Sequence, residues 1–276
     1  MRFAVDTGGT FTDLLVEEDD GTLRMFKAAT TPDDPIRGVI DSLQVADIGD
    51  VAINTFNLEK SVGIIERAYD EILGHGCKPL TMGGDHTIVL PILRAMRRRH
   101  GPVALVHVDA HADINDSMFG EKIAHGTPFR RAVEEGLLDC GHVYQIGLRG
   151  TGYTAEDFDW PRSQGFRVVT AQECWHKSLA PLMQQVRAHL GDRPAYLSFD
   201  IDGLDPTQAP GTGTPEFGGL TVIQGYEIVR GCHGLNLVGC DLVEISPPYD
   251  TSGNTALLGA NLLYEMLCVL PGVGRR

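Results

Sequence analysis

Four short polar clusters hold the residue types that bind metal ions or move protons. They are Gly83-Gly84-Asp85-His86, Asp109-Ala110-His111-Ala112-Asp113, Ser198-Phe199-Asp200-Ile201-Asp202, and Glu244. Singly, each has an ordinary explanation. A histidine at a strand end is commonly a hydrogen-bonded structural residue, and Asp-x-Asp often caps the next helix. In combination they say more. Along an extended segment, residues at i, i+2 and i+4 point the same way. Asp109, His111 and Asp113 therefore converge, as do Asp200 and Asp202, and His86 can join them from a neighbouring strand end. Four carboxylates and two imidazoles would then share one cavity. Without cations, so many carboxylates could not all stay ionised together. Two divalent ions would remove that conflict. Carboxylate-rich donors with some imidazole and no thiolate point toward Mn²⁺ or a similar hard ion. Two such ions could activate a water at neutral pH. Two 2+ ions, four carboxylates and one hydroxide leave a formal charge of about minus one, which favours a cationic substrate. Glu244 would add another negative charge nearby.

Strands must carry these clusters. From residue 57 the chain alternates between strand-like and helix-like runs. Asn57 can cap a helix through about Leu73, and Lys78–Met82 reads as a short strand followed by a helix to about His100. Val103–Val108 is a continuous apolar run, as expected of a strand buried on both faces. Strands are also expected near Val143–Gly147, Arg167–Val169, Ala195–Phe199 and Leu237–Val243. Helices are expected near Cys174–Leu190, Val222–Gly231 and Thr255–Leu270, with a short one ending at Glu135. Such alternation means a parallel sheet with helices on both faces. Ligands then sit outside the carboxyl ends of the strands, where all four clusters fall.

Composition agrees with a folded binder of cations. The chain has 276 residues, 42% of them hydrophobic, and a net charge of -14. A nucleic-acid surface wants a basic face, so that partner is not expected. No apolar run reaches the roughly 18 residues that a membrane helix needs, and the first residues lack a secretory signal's apolar stretch. The six cysteines form no Cys-x-x-Cys pair, which suggests reduced thiols and a cytoplasmic location.

The clusters, in this order, resemble those of the arginase and agmatinase (ureohydrolase) family over roughly residues 45–273. The resemblance implies an arginase-like three-layer α/β/α fold with a mainly parallel sheet of about eight strands. It implies two manganese ions per chain and hydrolysis of a guanidino compound to an amine and urea, by a hydroxide between the metals. His86, Asp109, Asp113 and Asp200 would hold one ion. His111, Asp109, Asp200 and Asp202 would hold the other, with Asp109 and Asp200 as bridges. His125 in Ala-His-Gly-Thr resembles the histidine that passes a proton to the departing amine. Glu244 in Leu-Val-Glu-Ile-Ser-Pro-Pro resembles the carboxylate that pairs with the guanidinium. Thr214 in Gly-Thr-Gly-Thr-Pro belongs to a loop expected to position substrate. A homo-oligomer, trimer or hexamer, is also implied. The stretches 118–131 and 211–216 are similar to the agmatinase and guanidinobutyrase branch. The acidity of the chain leans toward agmatine over guanidinobutyrate.

Residues 1–43 depart from that pattern. Phe3-Ala4-Val5-Asp6-Thr7-Gly8-Gly9-Thr10-Phe11-Thr12-Asp13 and Thr30-Thr31-Pro32-Asp33-Asp34-Pro35 resemble the start of hydantoinase A and 5-oxoprolinase proteins. The chain therefore reads as a chimera: an atypical N-terminal β segment packed on a catalytic domain at 44–276. Three short strands and a helix to about Leu43 are expected there, with Phe3–Asp6 standing in for a strand of the main sheet. The rival readings are an inactive metal-binding protein that lacks its native substrate loop, and an actin-like ATP module for which the chain is too short. A one-zinc deacetylase would need fewer ligands than this chain offers.

Overall fold

The computed structural model of the chain describes residues 2–7, 11–17, 23–29, 47–150 and 156–272. Two compact units separate, Met1–Val51 with Gly272–Arg276, and Ala52–Pro271. In the first unit, β1 (Arg2–Thr7), β2 (Phe11–Glu17) and β3 (Leu23–Ala29) form an antiparallel sheet in that order. The three N-terminal strands expected from the sequence are thus present. Phe3–Asp6 does not stand in the main sheet: it pairs with Leu15, Leu14 and their neighbours in β2. A short connection favours this local antiparallel pairing over insertion into a parallel sheet, which needs a long crossover. The helix expected to end near Leu43 lies outside the described residues.

The second unit is an α/β fold with a wholly parallel sheet of six strands among the described residues, where about eight were expected. Its strands are β4 (Leu80–Met82), β5 (Val103–Val108), β6 (Leu138–Leu148), β7 (Arg167–Thr170), β8 (Ala195–Asp200) and β9 (Leu237–Val243). The helices are α1 (Leu58–Gly74), α2 (Val89–His100), α3 (Pro128–Glu134), α4 (Glu156–Ser163), α5 (Ala171–Cys174), α6 (Ala180–Leu190), α7 (Val222–Gly231) and α8 (Asn254–Val269). The α1 helix starts where the Asn57 side chain accepts the Lys60 N–H at 2.8 Å, and it buries Val62, Ile65, Tyr69 and Leu73. Every residue of β5, β8 and β9 is buried, which requires cover on both faces. The helix expected over Cys174–Leu190 is broken. His176 takes a left-handed backbone at φ 56°, and α6 restarts with Pro181 in its first turn, where a missing N–H costs no helix bond.

Strand order locates the site. The order is β4-β9-β8-β5-β6-β7. After β5 the chain moves outward to β6 and β7; β8 then returns beside β5, and β9 moves the other way. The gap between the ends of β5 and β8 is therefore the point where winding reverses, the usual ligand position in an open α/β sheet. Val108 pairs with Phe199, Phe199 with Leu242, and Leu242 with Met82. Four strands thus end level with one another, and the four polar clusters begin there.

Candidate metal centre

His86 opens a short 3-10 turn after β4, whose entry is capped by Asp85 accepting the Thr87 N–H at 2.8 Å. The ring is 1% exposed. Its Nδ1 lies 3.2 Å from Asp109 Oδ2, 3.0 Å from Asp113 Oδ2 and 3.4 Å from Asp200 Oδ2. Beside it, His111 Nδ1 lies 3.1 Å from Asp202 Oδ2 and 3.5 Å from Asp109 Oδ1. Asp109 thus faces both imidazoles, one with each oxygen. Backbone N–H groups fix the carboxylates: His111 donates to Asp109 Oδ1 at 2.6 Å, Asp202 to Asp200 Oδ1 at 2.8 Å, and Ala110 to Asp202 Oδ1 at 3.1 Å. The Thr214 hydroxyl donates to Asp202 Oδ2 at 3.1 Å.

A row of polar side chains lies one step below this layer. Gln145, His107, Ser198 and Asp241 are paired in register across β6, β5, β8 and β9, and all are fully buried. Gln145 Nε2 donates to Ala112 O at 2.8 Å and meets His107 Nδ1 at 3.1 Å. That leaves His107 Nε2 to donate to Asp109 Oδ2 at 2.8 Å. Ser198 donates to Asp241 Oδ1 at 2.8 Å, so its oxygen accepts from His86 Nε2 at 2.9 Å. His86 Nε2 therefore carries a proton. Its Nδ1 faces three carboxylate oxygens and makes no hydrogen bond, although it is buried. Such an arrangement suits a cation lying between them.

The electrostatics agree. Burial pushes the Asp200 carboxyl well above the usual range, and the charges of Asp202 and Asp109 add to the effect. Asp202 is raised by burial and by Asp109. Burial would raise Asp109 too, but the imidazoles of His107, His111 and His86 around it outweigh burial and hold Asp109 low. Burial opposes protonation of His111, yet Asp109 and Asp202 carry its imidazole up to about 12. Protons are thus drawn into the centre to offset its negative charge. Divalent cations would do the same, and a donor set of carboxylates and imidazoles without thiolate fits a hard ion such as Mn²⁺.

Glu244 follows β9 with a left-handed backbone at φ 64°. Its main-chain N–H donates to Gly84 O at 2.9 Å, and its Oε1 accepts the His86 N–H at 2.8 Å. One oxygen of the carboxylate is therefore engaged in clamping the His86 turn. Burial lifts this carboxyl to about 7, against the lowering effect of the His86 N–H. The cleft has a volume of about 310 Å³, and His111, Asp113, Asp200, Thr214, Glu244 and His125 are among its lining residues. His125 is exposed on its wall. The structure thus gathers His86, Asp109, His111, Asp113, Asp200 and Asp202 tightly, joins Thr214 and Glu244 to them by hydrogen bonds, and leaves His125 in the outer wall. Sequence reasoning gave no role to His107, Gln145, Ser198, Asp241 or Arg149. The signal for the first four was a polar residue interrupting each apolar strand, as in Val-Ala-Leu-Val-His-Val. His107 also forms a possible ligand group with His86 and Asp109, alongside that of Asp109, His111 and Asp202.

The model of the Arginase family matches residues 22–268. Guanidinobutyrase of Pseudomonas aeruginosa is 76% identical over 236 residues, covering 86% of this chain and 74% of that protein. The protein named mitochondrial agmatinase of Gallus gallus is 58% identical over 266 residues, covering 96% and 77%. Among solved structures, proclavaminate amidino hydrolase from Streptomyces clavuligerus aligns with a TM-score of 0.75 at 38% identity, over 80% of this chain and 75% of that one. The family match thus begins inside the first 43 residues and runs through every cluster described above: this chain belongs to the arginase family.

Proposed function

We propose that this protein hydrolyses a small ω-guanidino acid, 4-guanidinobutyrate foremost, to urea and 4-aminobutyrate. That it acts on guanidino compounds follows from the family and its guanidinobutyrase and agmatinase relatives. The observation that carries the chemistry is the convergence of His86, Asp109, Asp113 and Asp200 beside His111 and Asp202, with Glu244 at the same end of the cleft. The 76% identity to guanidinobutyrase moves the choice of substrate from agmatine to the acid.

Two manganese ions would sit on His86, Asp109, Asp113 and Asp200 and on His111, Asp109, Asp200 and Asp202, where they would neutralise the carboxylates and acidify water. Glu244 pairs with the guanidinium and holds its planar carbon toward the carboxylates. Thr214 keeps Asp202 turned to the centre through its 3.1 Å hydrogen bond. His125 lies in the cleft wall, where it can donate a proton to the departing amine nitrogen. Atoms balance: one water enters, the carbon–nitrogen bond to the chain breaks, and urea and an amine leave.

A second reading, agmatine, is favoured by Asp157 and Glu216, which add negative charge to the cleft lining. The test is urea release by the Mn²⁺-loaded protein from 4-guanidinobutyrate, 3-guanidinopropionate, agmatine and arginine. The highest kcat/KM is expected for 4-guanidinobutyrate. A higher value for agmatine overturns the acid assignment, and no urea from any of them leaves the inactive metal-binding reading.

A further inference from the structure

Arg149 directly follows β6 and is only 4% exposed, yet among the described residues its guanidinium pairs with no carboxylate. Nε donates to Glu216 O at 3.1 Å, and Nη1 donates to the carbonyls of Gly147 and Gly203, each at 3.1 Å. Nη2 donates to Asp202 O at 2.7 Å, Leu204 O at 3.1 Å and Glu216 O at 2.6 Å. The main-chain N–H of Arg149 adds a bond to Ala110 O at 2.9 Å. One residue is therefore tied to four segments: the end of β6, the 109–113 loop, the 200–204 turn and the 214–216 loop.

The packing is built around it. At Gly219 a Cβ would lie 2.5 Å from Arg149 Nη2 and 2.6 Å from the Asp205 nitrogen, so no larger residue fits beside the guanidinium. At Gly147, φ is 105° and a Cβ would lie 2.9 Å from Asp109 O. A planar fork of five N–H donors matches carbonyls arriving from several segments; a lysine ammonium has three donors around a point.

The bonds fall on one side of the centre. Asp202 is held by its carbonyl to Arg149, by Oδ1 to the Ala110 N–H, and by Oδ2 to Thr214. Both partners, in turn, belong to segments that Arg149 ties down. His86 is held instead by Ser198 and Glu244. We propose that Arg149 is a positioning residue for the half of the metal centre formed by His111 and Asp202, acting through its planar fork and not through charge alone. This rests on the two-ion reading above.

The experiment is a calorimetric titration of Mn²⁺ into the metal-free parent, Arg149→Lys and Gly219→Ala, with circular dichroism and Tm for each. Arg187→Lys serves as a control, because Arg187 also donates to a backbone carbonyl, that of Gly231, at 2.6 Å. The parent should bind two ions. Arg149→Lys keeps the charge and loses the fork, and should weaken one binding step by about tenfold or more while leaving the other nearly unchanged. Gly219→Ala keeps the arginine but crowds it, and should weaken the same step. Arg187→Lys should change neither. Parent-like binding of both ions by Arg149→Lys overturns the proposal, as does equal weakening of both steps. Failure of Arg149→Lys to fold also overturns it, since the residue would then serve folding itself. A parent that binds one ion or none overturns the two-ion reading and the proposal with it.

Discussion

Asp113 and Glu244 share an unusual backbone. Their φ values are 53° and 64°, in the left-handed region that side chains other than glycine rarely adopt. Such conformations cost on the order of 1–3 kcal/mol and persist where surrounding bonds enforce them. At Glu244, the enforcing bonds are those to Gly84 O and from the His86 N–H. Replacing the charge but keeping the shape, as in Glu244→Gln, should leave metal content unchanged and lower kcat/KM by roughly ten- to a hundred-fold, the loss of a charged hydrogen bond. Parent-like turnover by a fully metal-loaded variant would make Glu244 only a clamp for the His86 turn. A second outcome concerns pH. Burial raises the Glu244 carboxyl from 4.5 to about 7 in the metal-free protein. Its protonated form is therefore favoured by folding. The associated stability is fully present below about pH 4.5 and is lost as pH rises through about 7, on the order of 3 kcal/mol. Glutamine does not titrate. Denaturation of the two metal-free proteins at pH 5 and pH 8 should show the parent losing stability relative to Glu244→Gln, and parallel behaviour would refute the assignment.

Among the elements, the sheet does more than present loop residues at its edge. Gln145, His107, Ser198 and Asp241 occupy equivalent positions on adjacent parallel strands, so the register itself lines them up under the centre. The row keeps a proton on His86 Nε2 and anchors Asp109 through His107. Ser198→Ala breaks the row in the middle and leaves His86 Nε2 and Asp241 Oδ1 without this partner. The expected cost is about 1–3 kcal/mol of stability, read as a fall in Tm. Affinity for Mn²⁺ should also fall by about ten- to a hundred-fold, because the ligand ring loses its orientation. An unchanged Mn²⁺ titration with a lowered Tm would confine Ser198 to packing.

At the scale of the molecule, the centre places buried carboxylates at the heart of the sheet. Ions that bind only the folded chain stabilise it by mass action, about 2.7 kcal/mol per site at a hundred times Kd. Thermal unfolding should therefore shift upward by several degrees with excess Mn²⁺ and fall on chelation. Asp109→Asn, which touches both imidazoles, should lose most of that shift; a full shift would show that Asp109 is no shared ligand. The N-terminal unit calls for a separate measurement. Its Gly8-Gly9-Thr10 sequence resembles one from a nucleotide-binding fold, but the unit's described strands form only a small antiparallel sheet. Calorimetry with ATP should show no binding, and micromolar affinity abolished by Gly8→Val would prove the opposite.

The sequence by itself determined the elements and the donor set. Short apolar runs marked the strands, and longer runs with caps and an apolar face marked the helices of residues 57–270, because burial within a sheet or on a helix face is a local constraint. His86, Asp109, His111, Asp113, Asp200 and Asp202 stood out because they form polar clusters where the apolar strands end. The tertiary structure alone decided strand order, and with it the reversal point between β5 and β8. It placed Phe3–Asp6 in a sheet of its own and broke the helix at His176. It also decided which polar residues inside apolar strands meet one another, and that Arg149 lies buried among the carbonyls of Gly147, Asp202, Gly203, Leu204 and Glu216. Those contacts join residues dozens of positions apart, and no local pattern encodes them. They follow from register and chain winding, which are set only when the whole sheet closes around its core.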